Sequence, residues 1–395
     1  MKKKIYILTY LYLFIYFGCT QKEKEKVYKA KYVIDINNPI NIKIDELIID
    51  IDTIRLEVTD ESIMKNIDIT HIMDDRLYIL TNDFSAIHIF DLSGKYISKI
   101  KDVGNGPKEY IQITNMQIDL VKKKIIITDN FSSRILVYDK DGKQTDVFSL
   151  NFWPISIAPY KDGYIHSGAG KDYYKNPERD NYHIHFLDSN GLFISSAIEK
   201  ENKNKVTINS PHGIEILKNG DILYQPPLSY VVYKICDHGI IPYYELNSRS
   251  KYKLMNDEEV KSFEYIWGKS NTLEEKENQG YLLTWGAVFD MEEYTLFHFK
   301  GGWNIFRFLY YNKKNHKTYF IDPMTVKDDQ LMFKFFFNDL CTVDNDRIYI
   351  APSEYILNEI KGNINIHDKK ITKFINNTNF DSNPLLISYK LKFPK

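Results

Sequence analysis

Short runs rich in Ile, Leu, Tyr and Phe alternate with polar segments containing Asp, Asn and Gly along most of the chain. The clearest example has two apolar runs, 76–80 and 87–90, and the second run ends in Asp91 and a turn with Gly94. β-Branched and aromatic residues favour pleated strands, and Asp and Gly tolerate the backbone angles of tight hairpins. The pattern therefore predicts a succession of short antiparallel strands.

The Asp that ends the second run recurs at a nearly constant spacing. Four clear copies place it at Asp91, Asp139, Asp188 and Asp237, which are 48, 49 and 49 residues apart. A period near 50 residues with about four short strands in each copy is typical of a β-propeller blade. The sequence thus predicts a propeller whose blades follow one another along the chain.

A fifth, looser copy is marked by Asn312, which lies 75 residues after Asp237. The larger separation indicates an insert before this copy, which we place at about 251–280. Within it, Asn256 is followed three residues later by Glu259, the spacing of a helix capping box. The insert is therefore predicted to contain a helix.

A sixth copy begins near 337–340, is interrupted by a predicted helical stretch at 353–374, and resumes at 385–392 without an outer strand. Residues 52–57, ahead of the first copy, have the pattern of the missing strand. Pairing the two ends of the chain within one blade closes the ring and covers two sheet edges. We predict an all-β fold, a six-bladed β-propeller over 45–395 with N/C-terminal strand closure and short helical insertions.

The N-terminus has the pattern of an export signal. Three Lys residues precede an apolar run, 5–17, which is shorter than the ~20 residues that span a bilayer and suits a signal-peptide core. Gly18-Cys19 follows and resembles a lipobox, so we predict a signal peptide at 1–18 and a lipidated Cys19. The alternative is an uncleaved N-terminal anchor. The polar, charge-mixed residues that follow predict a flexible tether at 19–44.

Composition and charge narrow the range of partners. The 52 basic and 53 acidic residues give a net charge of −1, which argues against a nucleic-acid partner. Hydrophobic residues at 43% suffice for a buried core, and three Cys residues are too few for a disulfide framework. We expect an exported outer-membrane lipoprotein that is held to the membrane through Cys19. The sequence does not decide whether the protein faces the periplasm or the cell surface.

No catalytic motif stands out. The sequence has no nucleophile elbow, zinc-protease helix or Walker loop, so we predict no catalytic residues, no metal and no cofactor. His183 and His185 alternate along a predicted strand and would need a third ligand to hold zinc. No third ligand is obvious, so we interpret the pair as packed side chains. The segment 104–107 (Gly-Asn-Gly-Pro) lacks the third Gly and the helix of a dinucleotide loop, and we interpret it as a blade connection.

Propeller topology offers a better lead to function. The connections from the second to the third strand of a blade, and from one blade to the next, emerge on the same face. Here they are long and contain Tyr, Trp and Arg, which are favoured at recognition surfaces. The predicted binding residues are Asn130, Arg134, Trp153, Tyr173, Tyr174, Arg179, Gln225 and Tyr230. In the alternative interpretation, these side chains only pack the long loops.

Several segments, together with the lipobox, resemble a known group of proteins. They are 54–57 (Ile-Arg-Leu-Glu), 90–95 (Phe-Asp-Leu-Ser-Gly-Lys), 104–110, 338–340 and 383–392. The chain resembles the six-bladed β-propeller lipoproteins of Bacteroidetes, a group related to NHL-repeat propellers, over nearly its whole length. The resemblance implies the fold and little about activity.

Two hypotheses for function follow. The first is a non-enzymatic propeller at the cell envelope that binds a partner protein, or a glycan or peptide ligand, through its elaborated loop face. The alternative is a propeller enzyme (a lactonase, lyase or glycan-active hydrolase) with a site in the central channel, where related propellers hold metals. His, Asp or Glu side chains converging on the channel axis would favour the enzyme.

Overall fold

The protein is described by a computed structural model. The described residues are 29–36, 47–81, 83–152, 156–167, 179–200, 213–248, 252–263, 272–301, 305–321, 330–338, 340–363, 369–377 and 383–393.

The strands form six sheets, which are the six blades of a propeller. The chain begins with β1 (Tyr32–Asp35) and β2 (Ile48–Arg55). Blade 1 contains β3 (Ile67–Met73), β4 (Arg76–Thr81), β5 (Ile87–Asp91) and β6 (Tyr96–Ile100). Blade 2 contains β7 (Asn115–Asp119), β8 (Lys124–Asp129), β9 (Arg134–Asp139) and β10 (Gln144–Ser149). Blade 3 contains β11 (Ser156–Tyr160), β12 (Gly163–Ser167), β13 (Tyr182–Leu187) and β14 (Phe193–Glu199).

The remaining blades follow the same order from the inner to the outer strand. Blade 4 contains β15 (Ile214–Ile216), β16 (Ile222–Tyr224), β17 (Val231–Cys236) and β18 (Gly239–Asn247). Blade 5 contains β19 (Thr284–Asp290), β20 (Tyr294–Gly301), β21 (Ile305–Asn312) and β22 (Thr318–Ile321). Blade 6 contains β23 (Leu340–Asp344), β24 (Arg347–Ile350) and β25 (Leu385–Leu391), with β2 as its outer strand.

The ring is closed as the sequence predicts, by strands from both ends of the chain. β2 pairs antiparallel with β25, with Thr53 opposite Ile387 and Ile54 opposite Leu386. The strand begins at Ile48, four residues before the predicted start at 52. Closure in this way removes two exposed sheet edges.

The predicted tether 19–44 contains an ordered strand. β1 runs parallel to β18 as a fifth, outermost strand of blade 4, with Tyr32 opposite Tyr244. Ile34 and Ile36 are buried on one side of this strand. Their alternation with Asp35 is a strand signal that the charged residues before it obscured. The flexible assignment is therefore wrong for residues 32–35.

The marker Asp residues owe their recurrence to turn chemistry. Asp91 Oδ1 accepts hydrogen bonds from the backbone N–H groups of Ser93 and Lys95, at 2.9 and 3.0 Å. Asp139 and Asp188 cap their own turns in the same way. The turn Gly then has a positive φ, as at Gly94 (87°), which favours glycine. Blades 1 to 3 therefore repeat Asp and Gly because their outer hairpins need both.

The two faces of the ring differ. The turns from first to second and from third to fourth strand leave at most five residues between strands; we call their side the hairpin face. The opposite side, which we call the loop face, carries the longer connections. Helices in loop-face connections are α1 (Asp257–Ser262), α2 (Thr272–Asn278), α3 (Gln330–Phe333) with the π-helical turn Lys334–Asn338, α4 (Glu354–Asn363), α5 (Lys369–Asn377) and the 3-10 turn Arg179–Asn181.

The helical insert predicted at about 251–280 contains α1 and α2. At the start of α1, Asn256 and Glu259 form the predicted capping box, with Asn256 Oδ1 accepting from Glu259 N at 2.9 Å. No helix within the described ranges is long and apolar enough to cross a bilayer.

Candidate binding surfaces of the propeller

Three predicted binding residues, Trp153, Tyr173 and Tyr174, lie outside the described residues, as does the predicted lipidation site Cys19. The other five are described, and their side chains have different environments.

Arg134 holds a neighbouring connection in place. Its Nη1 donates hydrogen bonds to the backbone carbonyl oxygens of Gly106, at 2.7 Å, and Glu109, at 2.9 Å. The carboxylate of Glu109 in turn accepts from the backbone N–H of Gly106, at 2.7 Å. The segment 104–107 is thus a blade connection, as interpreted from the sequence, and Arg134 is a positioning residue for it.

Gln225 and Tyr230 lie beneath the helical insert. Gln225 is buried, and its Nε2 donates to the carbonyl oxygen of Ser229 at 2.9 Å. The Tyr230 hydroxyl donates to the carbonyl oxygen of Leu282 and accepts from the backbone N–H of Met255. Burial raises the pKa of Tyr230 above its ordinary range. Both side chains therefore contact the protein itself and support the base of the insert.

Arg179 lies on the 3-10 turn that precedes β13. Its guanidinium lies 3.7 Å from the centroid of the Phe193 ring, within the range of a cation–π contact. Part of this side chain's interaction is therefore made with its own blade.

Around Asn130, the loop face presents exposed apolar side chains. The buried carboxylate of Asp129 accepts from the backbone N–H of Ile111, at 2.8 Å, and of Phe131, at 2.9 Å. One carboxylate thus fixes two loop segments side by side, while the Ile111 and Phe131 side chains are 45% and 63% exposed. Val103 is exposed on the same connection as Ile111. Asn130 itself is half-buried, and its Oδ1 is buried. We call the exposed side chains of Val103, Ile111 and Phe131 the blade-2 loop surface.

Exposed apolar side chains are more numerous in the connections of this face than in the turns of the hairpin face. Of the twelve large apolar residues that are exposed among the described residues, six lie in loop-face connections. They are Val58, Ile63, Val103, Ile111, Phe131 and Tyr355. Apolar side chains grouped on one face of a soluble domain are typical of a surface that contacts another molecule.

A small polar cleft adjoins the blade-2 loop surface. It has a volume of about 170 Å³ and lies between the segment 60–65 and the connection from β4 to β5. His88 lines it and is 4% exposed; burial lowers the pKa of His88 to about 4. Within the described part of the chain, Nδ1 of His88 has no hydrogen-bond partner. We call this the blade-1 cleft; Ser85 in its wall accepts from the Tyr110 hydroxyl at 2.9 Å.

Blade 3 contains a layer of histidines that the sequence revealed only in part. His166 of β12 lies opposite His185 of β13, with ring centroids 5.8 Å apart. His185 Nδ1 lies 2.9 Å from Ser196 Oγ, whereas the His183 ring lies 6.1 Å from that of Tyr224 in blade 4. Burial lowers the pKa values of His183 and His185 to about 3. The described residues contain no group of three side chains placed to hold a metal ion.

The inner strands contain a half-buried acid without a sequence motif. Ile214 and Ile216 pack in an apolar cluster with blade 3, so Glu215 between them points the other way. There the backbone N–H of Asp290 lies 3.5 Å from its Oε1. Burial raises the pKa of Glu215 to about 8, although the backbone N–H of Asp290 acts to lower this pKa. The carboxyl group is therefore largely protonated at neutral pH.

The whole propeller matches a family model. The model described as "Domain of unknown function (DUF4934)" matches residues 31–390. No curated protein matches the sequence.

Solved structures share the fold at low sequence identity. A Bacteroides fragilis protein, provisionally described as exported, is 18% identical with a TM-score of 0.71, over 91% of this chain and 100% of that one. A Bacteroides vulgatus member of the DUF4221 family is 12% identical with a TM-score of 0.53, over 89% and 99%. Virginiamycin B lyase from Staphylococcus aureus is 11% identical with a TM-score of 0.38, over 69% and 74%, too distant to inform on activity.

Proposed function

Because the chain belongs to the DUF4934 family, whose description names no activity, we propose its function from its surfaces. We propose an envelope-anchored β-propeller lipoprotein that binds a partner protein, or a glycan or peptide ligand, through its loop face without catalysis.

The difference between the two faces is the observation that carries this proposal. The turns of the hairpin face leave at most five residues between strands, whereas one loop-face connection spans 248–283 and contains α1 and α2. Long connections cost conformational entropy to order. Binding residues concentrate on loops held by a rigid scaffold, so elaboration of one face favours a recognition role for that face.

The blade-2 loop surface and the blade-1 cleft supply complementary chemistry. Phe131 and Ile111 offer apolar area, and aromatic side chains of this kind act as anchors in protein interfaces. The cleft beside them offers His88, Lys99 and Asp83, which can hydrogen-bond polar groups of a glycan or peptide. A partner that covers both would bury apolar area and pair polar groups at once.

Attachment to the envelope rests on the N-terminal pattern. A signal peptide at 1–18 and lipidation of Cys19 would export the chain and anchor it, and the fold neighbour provisionally described as exported agrees with this route. We place the protein in the outer membrane. Metabolic labelling with an alkyne fatty acid tests the anchor, because Cys19→Ser should abolish incorporation.

Photo-cross-linking in intact cells tests the binding face. A photoreactive amino acid replaces Phe131 on the loop face or, as a matched control, Val121 on the hairpin face, which is 59% exposed. Reproducible capture of an envelope component from position 131 but not from 121 supports the proposal. Equal capture from both positions contradicts it.

A second candidate function is an enzyme with a site in the central channel. The observation in its favour is Glu215, whose strand β15 is the innermost strand of blade 4 and whose carboxyl group lies beside Asp290 of blade 5. A carboxyl group with a pKa near 8 can act as a general acid at neutral pH. Screening the purified protein against lactones and glycans, with Glu215→Gln as the inactive control, decides between the two functions.

A further inference from the structure

A groove of about 600 Å³ opens between blades 3 and 4 on the hairpin face, opposite to the proposed partner-binding face. Its walls are formed by all four strands of blade 3 and by the third and outer strands of blade 4. The apolar side chains of the lining are Tyr160, Phe186, Ile194, Ile235 and Ile240. This volume is in the range of small-molecule sites.

Comparison of equivalent turns shows why the groove is open. In blades 1, 2 and 3, a Cβ added to the turn glycine would meet the outer-strand region of the preceding blade. At Gly94 it would lie 2.1 Å from the Arg55 carbonyl oxygen. The corresponding distances are 3.2 Å from Gly142 to Ile100 and 2.6 Å from Gly191 to Leu150. A Cβ on Gly239 of blade 4 would meet none of the described residues within 4 Å. Within the described ranges, the contact between blades that closes the other three positions is thus not made at Gly239.

The local sequence explains the gap. The turn Asp237-His238-Gly239 is one residue shorter than the equivalent turns, such as Asp188-Ser189-Asn190-Gly191. The outer strand of blade 3 presents Ser195 to the groove, a small side chain. A short turn facing a small residue leaves space that larger side chains fill elsewhere in the ring.

Contacts between the blades hold the groove at a fixed width. The Tyr160 hydroxyl donates to the carbonyl oxygen of Cys236 at 2.9 Å, and Lys161 forms an ion pair with Asp237 at 3.1 Å. Both contacts join blade 3 to blade 4. The groove is therefore preformed, which lowers the entropic cost of binding.

The rim charges are neutralised within the protein. Asp237 is paired with Lys161, and Asp162 is paired with Lys122 at 3.2 Å. Asp188 accepts two backbone N–H groups of its own turn. A ligand that enters between these groups meets an apolar wall, where burial of a charge would be costly. The groove thus suits an uncharged, apolar chain.

The direction of β1 indicates which face of the propeller is directed toward the membrane and its lipids. β1 runs parallel to β18, which starts at the hairpin face with Gly239, and Lys31 lies over the Tyr243 ring, with Nζ 5.3 Å from the centroid. The chain therefore enters β1 from the hairpin-face side. Twelve residues separate Cys19 from Tyr32, a reach of at most about 40 Å. With the lipid anchor of the proposed function, on which this step rests, the hairpin face is directed toward the membrane.

We propose that the groove between blades 3 and 4 binds an acyl chain of a membrane phospholipid. The lipid inserts between Phe186 and Ile194 of blade 3 and Ile240 of blade 4, and its headgroup stays at the rim near Lys122 and Lys161. This contact would fix the rotation of the propeller on the membrane and direct the loop face outward.

The test uses the full-length, lipidated protein in nanodiscs of phosphatidylethanolamine and phosphatidylglycerol that carry a diazirine on the acyl chain. Photolysis and mass spectrometry map the adducts. Ile194→Asp places a charge at the mouth of the groove, where Ile194 is 62% exposed. Leu192→Asp is the matched control, since Leu192 is 60% exposed and does not line the groove. Ser195→Phe, which fills the groove without adding charge, is a second variant.

We expect adducts on groove residues that fall about tenfold in Ile194→Asp and in Ser195→Phe, because the apolar site is charged or filled, and that persist in Leu192→Asp. Adducts only outside the groove, or equal adducts in all three variants, would overturn the assignment. Loss of loop-face capture in cells with groove adducts intact would count against the proposed partner binding alone. Loss of groove adducts with loop-face capture intact would count against the groove alone.

Discussion

The guanidinium of Arg134 and the backbone of Gly106 are joined by a 2.7 Å hydrogen bond between a strand of blade 2 and the connection that leads into that blade. Through this bond, the outer part of the loop face is held by the rigid sheet below it. Arginine is typical of recognition surfaces, but Arg134 orders this surface from beneath. Neighbouring exposed side chains such as Phe131 are the ones placed to contact a partner.

Replacing Arg134 should therefore reduce stability. Arg134→Ala removes two charge-assisted hydrogen bonds and leaves the carbonyl oxygens of Gly106 and Glu109 without this donor, at a cost of about 2–3 kcal/mol. Arg134→Lys should lose less, since one ammonium can still donate. Urea denaturation measures both; an unchanged midpoint for Arg134→Ala would show that the bonds contribute nothing.

Closure of the ring should make β2 a main determinant of stability. Ile54 is 8% exposed and lies opposite Leu386, so Ile54→Ala should cost about 2–4 kcal/mol through lost burial and a cavity. Ile49 on the same strand is 40% exposed, and Ile49→Ala should cost about 0.5 kcal/mol or less. Thermal unfolding of the two variants compares them directly. Equal losses would mean that β2 does not close the ring.

The protonation of Glu215 predicts a loss of stability as pH rises. Its pKa is raised from 4.5 to about 8, so between these values the folded state holds a proton that the unfolded state has released. The contribution of this group to the free energy of unfolding is fully present below pH 4.5 and is lost as the pH rises through 8. The loss between pH 6.5 and 8 is on the order of 2 kcal/mol. Glu215→Gln should flatten the pH dependence of the unfolding free energy in that window. An unchanged slope would contradict the raised pKa of Glu215.

The histidines of blade 3 predict the opposite slope at lower pH. The pKa of His185 is lowered from 6.5 to about 3, mainly by burial, so protons bind the unfolded state first. The contribution of the neutral His185 ring to the free energy of unfolding is fully present above pH 6.5. For one such group, it falls by roughly 2 kcal/mol when the pH is lowered to about 5. NMR titration should show the His185 ring neutral down to about pH 4, with His185→Gln used for assignment. A midpoint near 6.5 would rule out the buried environment.

The fold was predictable because its signal repeats. The same hairpin chemistry at Asp91, Asp139 and Asp188 imposes the same two residue types on blades 1 to 3, so the period shows in a single sequence. β1 has only one short alternation of apolar and polar residues, and it lies beside charged residues. Its pairing with β18 joins residues that are more than 200 positions apart in the chain. Such a strand has no local repeat that identifies it.

The candidate surfaces were less predictable because side-chain chemistry does not show where a group points. Arg134, Gln225 and Tyr230 have the composition of binding residues, yet each donates to a backbone carbonyl of the protein itself. Exposure of Ile111 and Phe131 depends on the carboxylate of Asp129, which joins two segments 18 residues apart. His166 faces His185 only through the register of β12 with β13.

The central claim is that the loop face is the surface that engages a partner or ligand. Its most direct test is the ratio of in-cell photo-cross-linking yield at position 131 to that at position 121, measured again with Ile111→Asp. Ile97, an exposed isoleucine on the outer strand of blade 1, supplies the control Ile97→Asp. We predict a ratio well above one that falls toward one with Ile111→Asp and is unchanged by Ile97→Asp. A ratio near one in the unmodified background, or one insensitive to Ile111→Asp, would contradict the claim.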